Sequence, residues 1–490
     1  MAMEHYHKWT LALIAALLVF RIGALFISPL GLHGDEAQYW AWSKDIDWGY
    51  FTKPPLIAWV IWSTTTIFGD AEWAVRLSSP LLHSLTAFVI FRTARLAFDA
   101  RTGFWAAAVY LLMPALWLSS GIVSTDVPLL LCWTLALNAW LHLREGGGWP
   151  RALQLGAAIG MGLLAKYAML FFIPALIAAI IFDPATRKGL ANLKGLAAGG
   201  LALLIFTPNI VWNAAHDFAT VSHTADNANL GHSFPFHPSE LLSFLGEQFG
   251  VFGPITFGIY ILALIAALKG KLSGPAKYIA FFGLSPLLII SLEALLSRAN
   301  ANWAVTTYIA GSILTAHFGL TYGPRAVKWL KGGIWAQTAI CLVLGTALLS
   351  PALTNSLGLA NAVKRLRAWP ETAALIKDRF EQGHAGRAYE TITVDQRILF
   401  YDINYYTRSA PLPLTILMPN GTAKHHAHLT SALPAQEGPI LVVNYYQSNQ
   451  VALSRDFERL EPLAPIDLDL GGGKSRELKL WAGYGYRPKG

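Results

Sequence analysis

The chain has 490 residues, 54% of them hydrophobic and only 13% charged. Soluble globular domains carry about 25% charged residues, so a fold that meets water on every side is excluded and a bilayer-facing one is indicated. A net charge of +8 would suit nucleic acid as a partner, but the placement of the basic residues, set out below, removes that class.

The first apolar run, Leu11 to Phe20 and on to Ile27, has no small-residue cleavage site after it and reads as a retained helix rather than a secretory signal. A helix needs about 20 mainly apolar residues to cross a bilayer. Eleven segments are candidates: roughly 9–29, 75–97, 103–119, 127–143, 152–165, 168–183, 196–212, 249–268, 277–296, 302–320 and 333–351. The run Pro55 to Phe68 is too short to span and opens with Pro54-Pro55, so it predicts an interfacial helix. Cys132 and Cys341 lie inside apolar runs, which argues against a structural disulfide or a thiolate metal site.

With the N-terminus in the cytoplasm, the inner loops hold Arg92, Arg95 and Arg101, then Arg144 and Arg151, then Arg187, Lys188 and Lys194, then Lys269, Lys271 and Lys277, then Arg325, Lys328 and Lys331. The outer segments hold few: Lys44, Lys53, Arg76, Lys166 and Arg298. Positive charge stays inside through five successive loops. The basic residues therefore report topology, and no nucleic-acid partner is expected. An odd number of spans leaves the C-terminal part outside. From about Asn355 long apolar runs stop and charge rises. Glu371 to Phe380 reads as an amphipathic helix, Tyr389 to Val394 and Ile440 to Tyr445 as strands, and Asp395 to Tyr406 as a helix between them. The expected architecture is an α-helical polytopic membrane domain over 1–354 and a small α/β extracytoplasmic domain over 355–490.

Chemistry-bearing residues gather in the first outer segment, LGLHGDEAQYWAWSKDIDWGYFTK, where Asp35, Glu36, Lys44, Asp45, Asp47 and Lys53 sit among six aromatic residues. Gln38, Tyr39 and Trp42 follow Asp35-Glu36 at a spacing that predicts a short surface helix. Lys53 abuts Pro54-Pro55, which restricts the backbone around it, and a lysine there suits a lipid phosphate. The plain alternatives are a solvated or capping carboxylate at Asp35 and an interfacial anchor at Lys53. Asp126, in Ser124-Thr125-Asp126-Val127-Pro128, lies on the same face at a helix start, where capping is the competing role. Lys166, between two short apolar spans, is a functional candidate by its position. Arg298 suits a phosphate or an interfacial anchor. The segment Trp212 to Glu247 contains His216, His223, His232 and His237 without HxxxH or HExxH spacing, so no metal is assigned. Asp226, Asn227 and Asn229 there suit sugar hydroxyls or turns. No P-loop, dinucleotide fingerprint or GxSxG is present in context.

The Asp-Glu pair followed by Lys-Pro-Pro at an interfacial helix resembles the GT-C glycosyltransferases. More narrowly, it resembles the bacterial dolichyl-phosphate-mannose–protein mannosyltransferase-like group (glycosyltransferase family 39), which has the lipid A aminoarabinose transferases as relatives. The matching pieces are GDEAQYWAW, FTKPPLIAW, RLSSPLLHSLTAFVIFRTARLAF, STDVPLLL, LLAKYAMLF and SRANANWAVTTYIAGSIL, spread over about residues 9–320. The resemblance implies a GT-C fold of about 11 spans, a polyprenyl-phosphate sugar donor and inverting transfer on the outer face of the inner membrane. The acceptor would be lipid A or lipopolysaccharide, another glycan, or protein. It implies Asp35 as catalytic carboxylate with Glu36 beside it, Asp126 as the second acid, and Lys53, with Lys166 and Arg298, at the donor phosphate. Neither a cofactor nor a metal is expected, because one phosphate needs less neutralisation than a pyrophosphate. In one respect the chain departs: the aminoarabinose transferases have Glu before Lys-Pro-Pro, and this chain has Thr52. The rival class is a transporter or lipid flippase. Polar groups near the bilayer midplane and repeated halves would favour that reading, and neither pattern appears.

Overall fold

The structure, a computed structural model, describes residues 2–227, 236–272, 274–418, 421–445 and 455–488. The chain divides into two compact units: Met1–Phe26, Lys53–Val60 and Arg76–Gly345 form the first, and Ile27–Thr52, Ile61–Val75 and Thr346–Gly490 the second.

The first unit is a helical bundle. Apolar sequence in lipid must pair every backbone N–H and C=O within itself, and the helix does so. Six helices among the described residues are long and apolar enough to cross a membrane: Glu4–Ile27, Glu72–Ala97, Asp126–Arg144, Leu193–Ala215, Pro275–Leu296 and Pro324–Leu349. Two further apolar stretches are bent, Tyr167–Phe182 with Pro184–Leu190 by 111° and Pro238–Phe252 with Pro254–Leu268 by 114°. The region 103–119 is broken into Ala100–Leu111 and Pro114–Ser119, with Pro114 opening the second piece. Trp133, Trp140, Phe172, Phe252, Tyr260 and Tyr308 are among the largest fully buried side chains. Helices Trp149–Ala165 and Leu193–Ala215 approach through small residues, since a Cβ on Gly156 would stand 2.4 Å from the Ala198 carbonyl oxygen. Gly156 and Gly160 are four apart, the spacing by which membrane helices bring backbones together.

The second unit combines the first inter-helix loop with the C-terminal region. Its sheet contains β1 (Thr391–Val394), β2 (Leu414–Ile416), β3 (Ile440–Asn444), β4 (Phe457–Gly471) and β5 (Lys474–Tyr486), in the order β2-β1-β3-β5-β4. β1 runs parallel to β2 and β3, whereas β5 is antiparallel to β3 and β4. β1 and β3 are buried at every position, as strands covered on both faces are. Helix Arg397–Tyr406 packs on β1 and β2, and helix Trp369–Gln382 packs against Arg397–Tyr406. Helix Gly34–Trp42 packs on Arg397–Tyr406, and the contact demands a glycine: a Cβ on Gly34 would stand 2.2 Å from Ile398 Cγ2.

Candidate active-site residues

In the first unit, Asp126 opens helix Asp126–Arg144, after a Thr125 that makes no side-chain cap bond. The Asp126 carboxylate reaches sideways instead. Lys166 Nζ donates to its Oδ1 at 2.6 Å, and Asn302 Nδ2 donates to its Oδ2 at 3.0 Å. Lys166 can do this because the helix Trp149–Ala165 stops there, and the residue is extended before the 3-10 turn Tyr167–Phe171. Asn302 comes from another 3-10 turn, Ala301–Ala304. Three chain breaks thus supply one polar cluster, with Asp126 buried and Lys166 half-buried. An ion pair this shielded resists loss of either partner, because the remaining charge is left without compensation. Lys53 is half-buried just ahead of helix Leu56–Phe68. Arg298 is exposed, on the turn before Asn302.

In the second unit, His33 and Glu36 fix the start of helix Gly34–Trp42. His33 Nδ1 accepts from the Asp35 N–H at 3.2 Å, and Glu36 Oε2 accepts from the His33 N–H at 2.9 Å. Such reciprocal capping satisfies backbone donors that a helix start leaves open. Glu36 is fully buried, while the Asp35 side chain keeps 42% exposure. The two neighbours are therefore unequal: Glu36 braces the turn, and Asp35 is the more accessible of the pair. Arg397 Nη2 lies 2.8 Å from Asp35 Oδ1, and its Nη1 donates to Gln38 Oε1. Gln38, buried, passes a hydrogen bond on to Thr52 Oγ1 at 3.2 Å. Tyr406, from the same helix as Arg397, accepts from the Leu32 N–H at 2.8 Å and donates to Glu72 Oε1 at 2.5 Å.

Between these contacts lies Asp402. It is fully buried, and among the described residues neither carboxyl oxygen has a hydrogen-bond partner. Burial pushes its pKa well above the usual carboxylate range. Arg476 opposes the shift, Glu36 and Asp35 reinforce it, and Arg397 opposes it again. Burial thus favours the neutral acid, because an unpaired buried carboxylate is costly.

Reading the sequence alone missed Arg397, Gln38, Asn302 and Asp402. No local pattern marks them, since each matters through a partner distant in the chain. Among the described residues no group of three or more His, Cys, Asp or Glu is placed to hold a metal ion. His232 and Asn229 lie outside the described residues.

Residues 52–212 match the family described as dolichyl-phosphate-mannose-protein mannosyltransferase. The lipid A galacturonosyltransferase RgtD of Rhizobium johnstonii is 32% identical over 437 residues, which cover 87% of this chain and 88% of that protein. An undecaprenyl phosphate-α-4-amino-4-deoxy-L-arabinose arabinosyl transferase of Pseudomonas fluorescens is 28% identical over 317 residues, 58% of this chain and 52% of that one. The crystal structure of ArnT from Cupriavidus metallidurans bound to undecaprenyl phosphate shares the fold, with a TM-score of 0.68 at 16% identity over 97% of this chain and 98% of the other. Likeness to the galacturonosyltransferase across nearly both whole chains, on the architecture of ArnT, places this chain in the GT-C glycosyltransferases, as a member of the group that contains the lipid A galacturonosyl- and aminoarabinosyltransferases.

Proposed function

We propose that this glycosyltransferase moves a galacturonosyl residue from a polyprenyl-phosphate donor to a lipid A hydroxyl on the outer face of the inner membrane. The likeness to RgtD, 32% identical over 87% of the chain, carries the choice of sugar and acceptor. Thr52 agrees with it. Where the aminoarabinose transferases place a glutamate, this chain has a neutral hydroxyl tied to Gln38, so no acid is supplied there for a cationic sugar. Eleven crossings with a cytoplasmic N-terminus give the orientation that the inner-loop basic residues support.

The proposed chemistry is a single inverting displacement. The acceptor oxygen attacks the anomeric carbon, the bond from that carbon to the phosphate oxygen breaks, and polyprenyl phosphate departs. Asp35, the exposed carboxylate of the Asp-Glu pair, takes the hydroxyl proton as general base. Glu36 keeps Asp35 in place through the helix start. Lys53 stabilises charge growing on the departing phosphate, with Arg298 as a further cation for the donor headgroup. Asp126 is the second acid, and Lys166, joined to it, sets its orientation. A phosphate leaving group needs no general acid.

The test is transfer by purified enzyme in lipid vesicles, with polyprenyl-phosphate galacturonic acid and lipid A, read by mass spectrometry. One uronic acid added per acceptor is expected, lost in Asp35→Asn. Transfer of aminoarabinose in preference to the uronic acid would overturn the sugar assignment, and unchanged turnover in Asp35→Asn would overturn the role of Asp35.

A further inference from the structure

We propose that Arg397, from the C-terminal region, is a positioning residue that aims the Asp35 carboxylate at the acceptor. This rests on the reading of Asp35 as the base. The geometry is that of a clamp. One guanidinium nitrogen meets Asp35 Oδ1 at 2.8 Å and the other meets Gln38 Oε1. Asp35 and Gln38 are three apart on helix Gly34–Trp42, so they share a face, and a planar fork fits two acceptors on one turn better than a point charge does. Gln38 is itself immobilised, being fully buried and bonded to Thr52. Arg397 is fixed at the other end, as the first residue of helix Arg397–Tyr406, whose neighbour Ile398 fills the space over Gly34.

The other carboxylate oxygen, Oδ2, lies 3.8 Å from His33 Nδ1. In the proposed chemistry Oδ2 takes the acceptor proton while Arg397 retains Oδ1. Charged and titratable groups near Asp35 include Arg397, His33, Glu36 and Asp402. Arg397 favours the ionised state a base must have. A carboxylate free to rotate, or more easily protonated, would still let substrate bind but would react slowly.

The test uses the full-length enzyme in vesicles and compares Arg397→Ala, Arg397→Lys and Asp35→Asn. Arg397→Ala is expected to lower kcat roughly 10²-fold, the scale of losing a catalytic group's alignment, with KM nearly unchanged. The acid limb of its rate profile should move to higher pH, because a carboxylate that loses a cation neighbour is easier to protonate. Arg397→Lys should recover part of kcat and return the limb, since the charge is restored without the fork. In an Asp35→Asn background, Arg397→Ala should cost almost nothing more, as groups acting through one another do not add. If the alanine variant does not fold, Arg397→Gln, with an amide arm in place of the charge, should show the same drop and limb shift. A folded Arg397 variant with wild-type kcat and pH profile, or one altered only in KM, overturns the proposal. If Asp35→Asn is inactive in that case, only the clamp is refuted. If Asp35→Asn turns over normally, the base assignment beneath it is refuted.

Discussion

Asp402 offers a measurement that needs no substrate. Its carboxyl is buried with both oxygens unpartnered among the described residues, and burial raises its pKa, whereas in the unfolded chain it ionises at about 3.9 like any aspartate. Its folded pKa lies above its unfolded one. Above the unfolded pKa the native state therefore binds more protons than the unfolded state, and stability falls as pH rises. The slope is about 1.4 kcal/mol per pH unit while the folded group stays protonated. Arg476 and Arg397 shorten the range over which this slope applies, because both favour ionisation. Asp402→Asn keeps the shape and cannot ionise, so its stability should lack this slope. Thermal midpoints of both proteins in the same detergent, at pH 5 and pH 8, isolate the term, because groups that behave alike in both cancel in the difference. The wild type should lose more on alkalinisation than the variant. Parallel pH dependences would refute the picture of a neutral acid beneath the Asp35 helix.

Lys53→Ala should cut transfer by about 10²-fold or more through loss of charge stabilisation, with the fold retained by circular dichroism. An unchanged rate would remove Lys53 from the donor site. Lys166→Met leaves Asp126 with only Asn302 and should destabilise by on the order of 2 kcal/mol. That is below the about 3–5 of a wholly buried pair, because the lysine side chain keeps 22% exposure. Adding Asp126→Asn should restore most of the loss in the thermal midpoint, and no recovery would argue against the pair. Gly156→Val forces a branched side chain against the Ala198 backbone. Aggregation or a lower midpoint in detergent is expected, and a wild-type midpoint would contradict the close approach. Incubation with EDTA should leave transfer unaltered, and activity restored only by added divalent metal would contradict the metal-free mechanism.

Much of the bundle was legible in the sequence because burial in lipid leaves a long uninterrupted signature. The runs 127–143, 196–212 and 277–296 lie within helices Asp126–Arg144, Leu193–Ala215 and Pro275–Leu296. Breaks were harder. The run 103–119 reads as one apolar stretch, but Met113-Pro114 divides it. Outside the bundle, β1 and β3 were legible as short apolar runs. The hairpin of β4 and β5 went unread although its signal was present: Ile466-Asp467-Leu468-Asp469-Leu470 alternates up to Gly471-Gly472-Gly473, all three at positive φ. Pro462 and Pro465, and the register shift between Leu463 and Ile466, mask the alternation earlier in that strand. Among site residues, charge in a short loop pointed to Asp35 and Glu36. Only tertiary packing separated a braced Glu36 from an accessible Asp35, and only packing brought in Arg397.

The union of the first loop with the C-terminal region imposes an order on biogenesis. The ribosome releases Asp35 early, but Arg397 and the helix that covers Gly34 emerge more than three hundred residues later. At about 5–20 residues per second, the loop waits tens of seconds outside the translocon without its permanent neighbours. A polypeptide cut after the last membrane helix would lack Arg397 and so the ion pair on Asp35. On the proposed role of Arg397, efficient transfer waits until this final segment has been made.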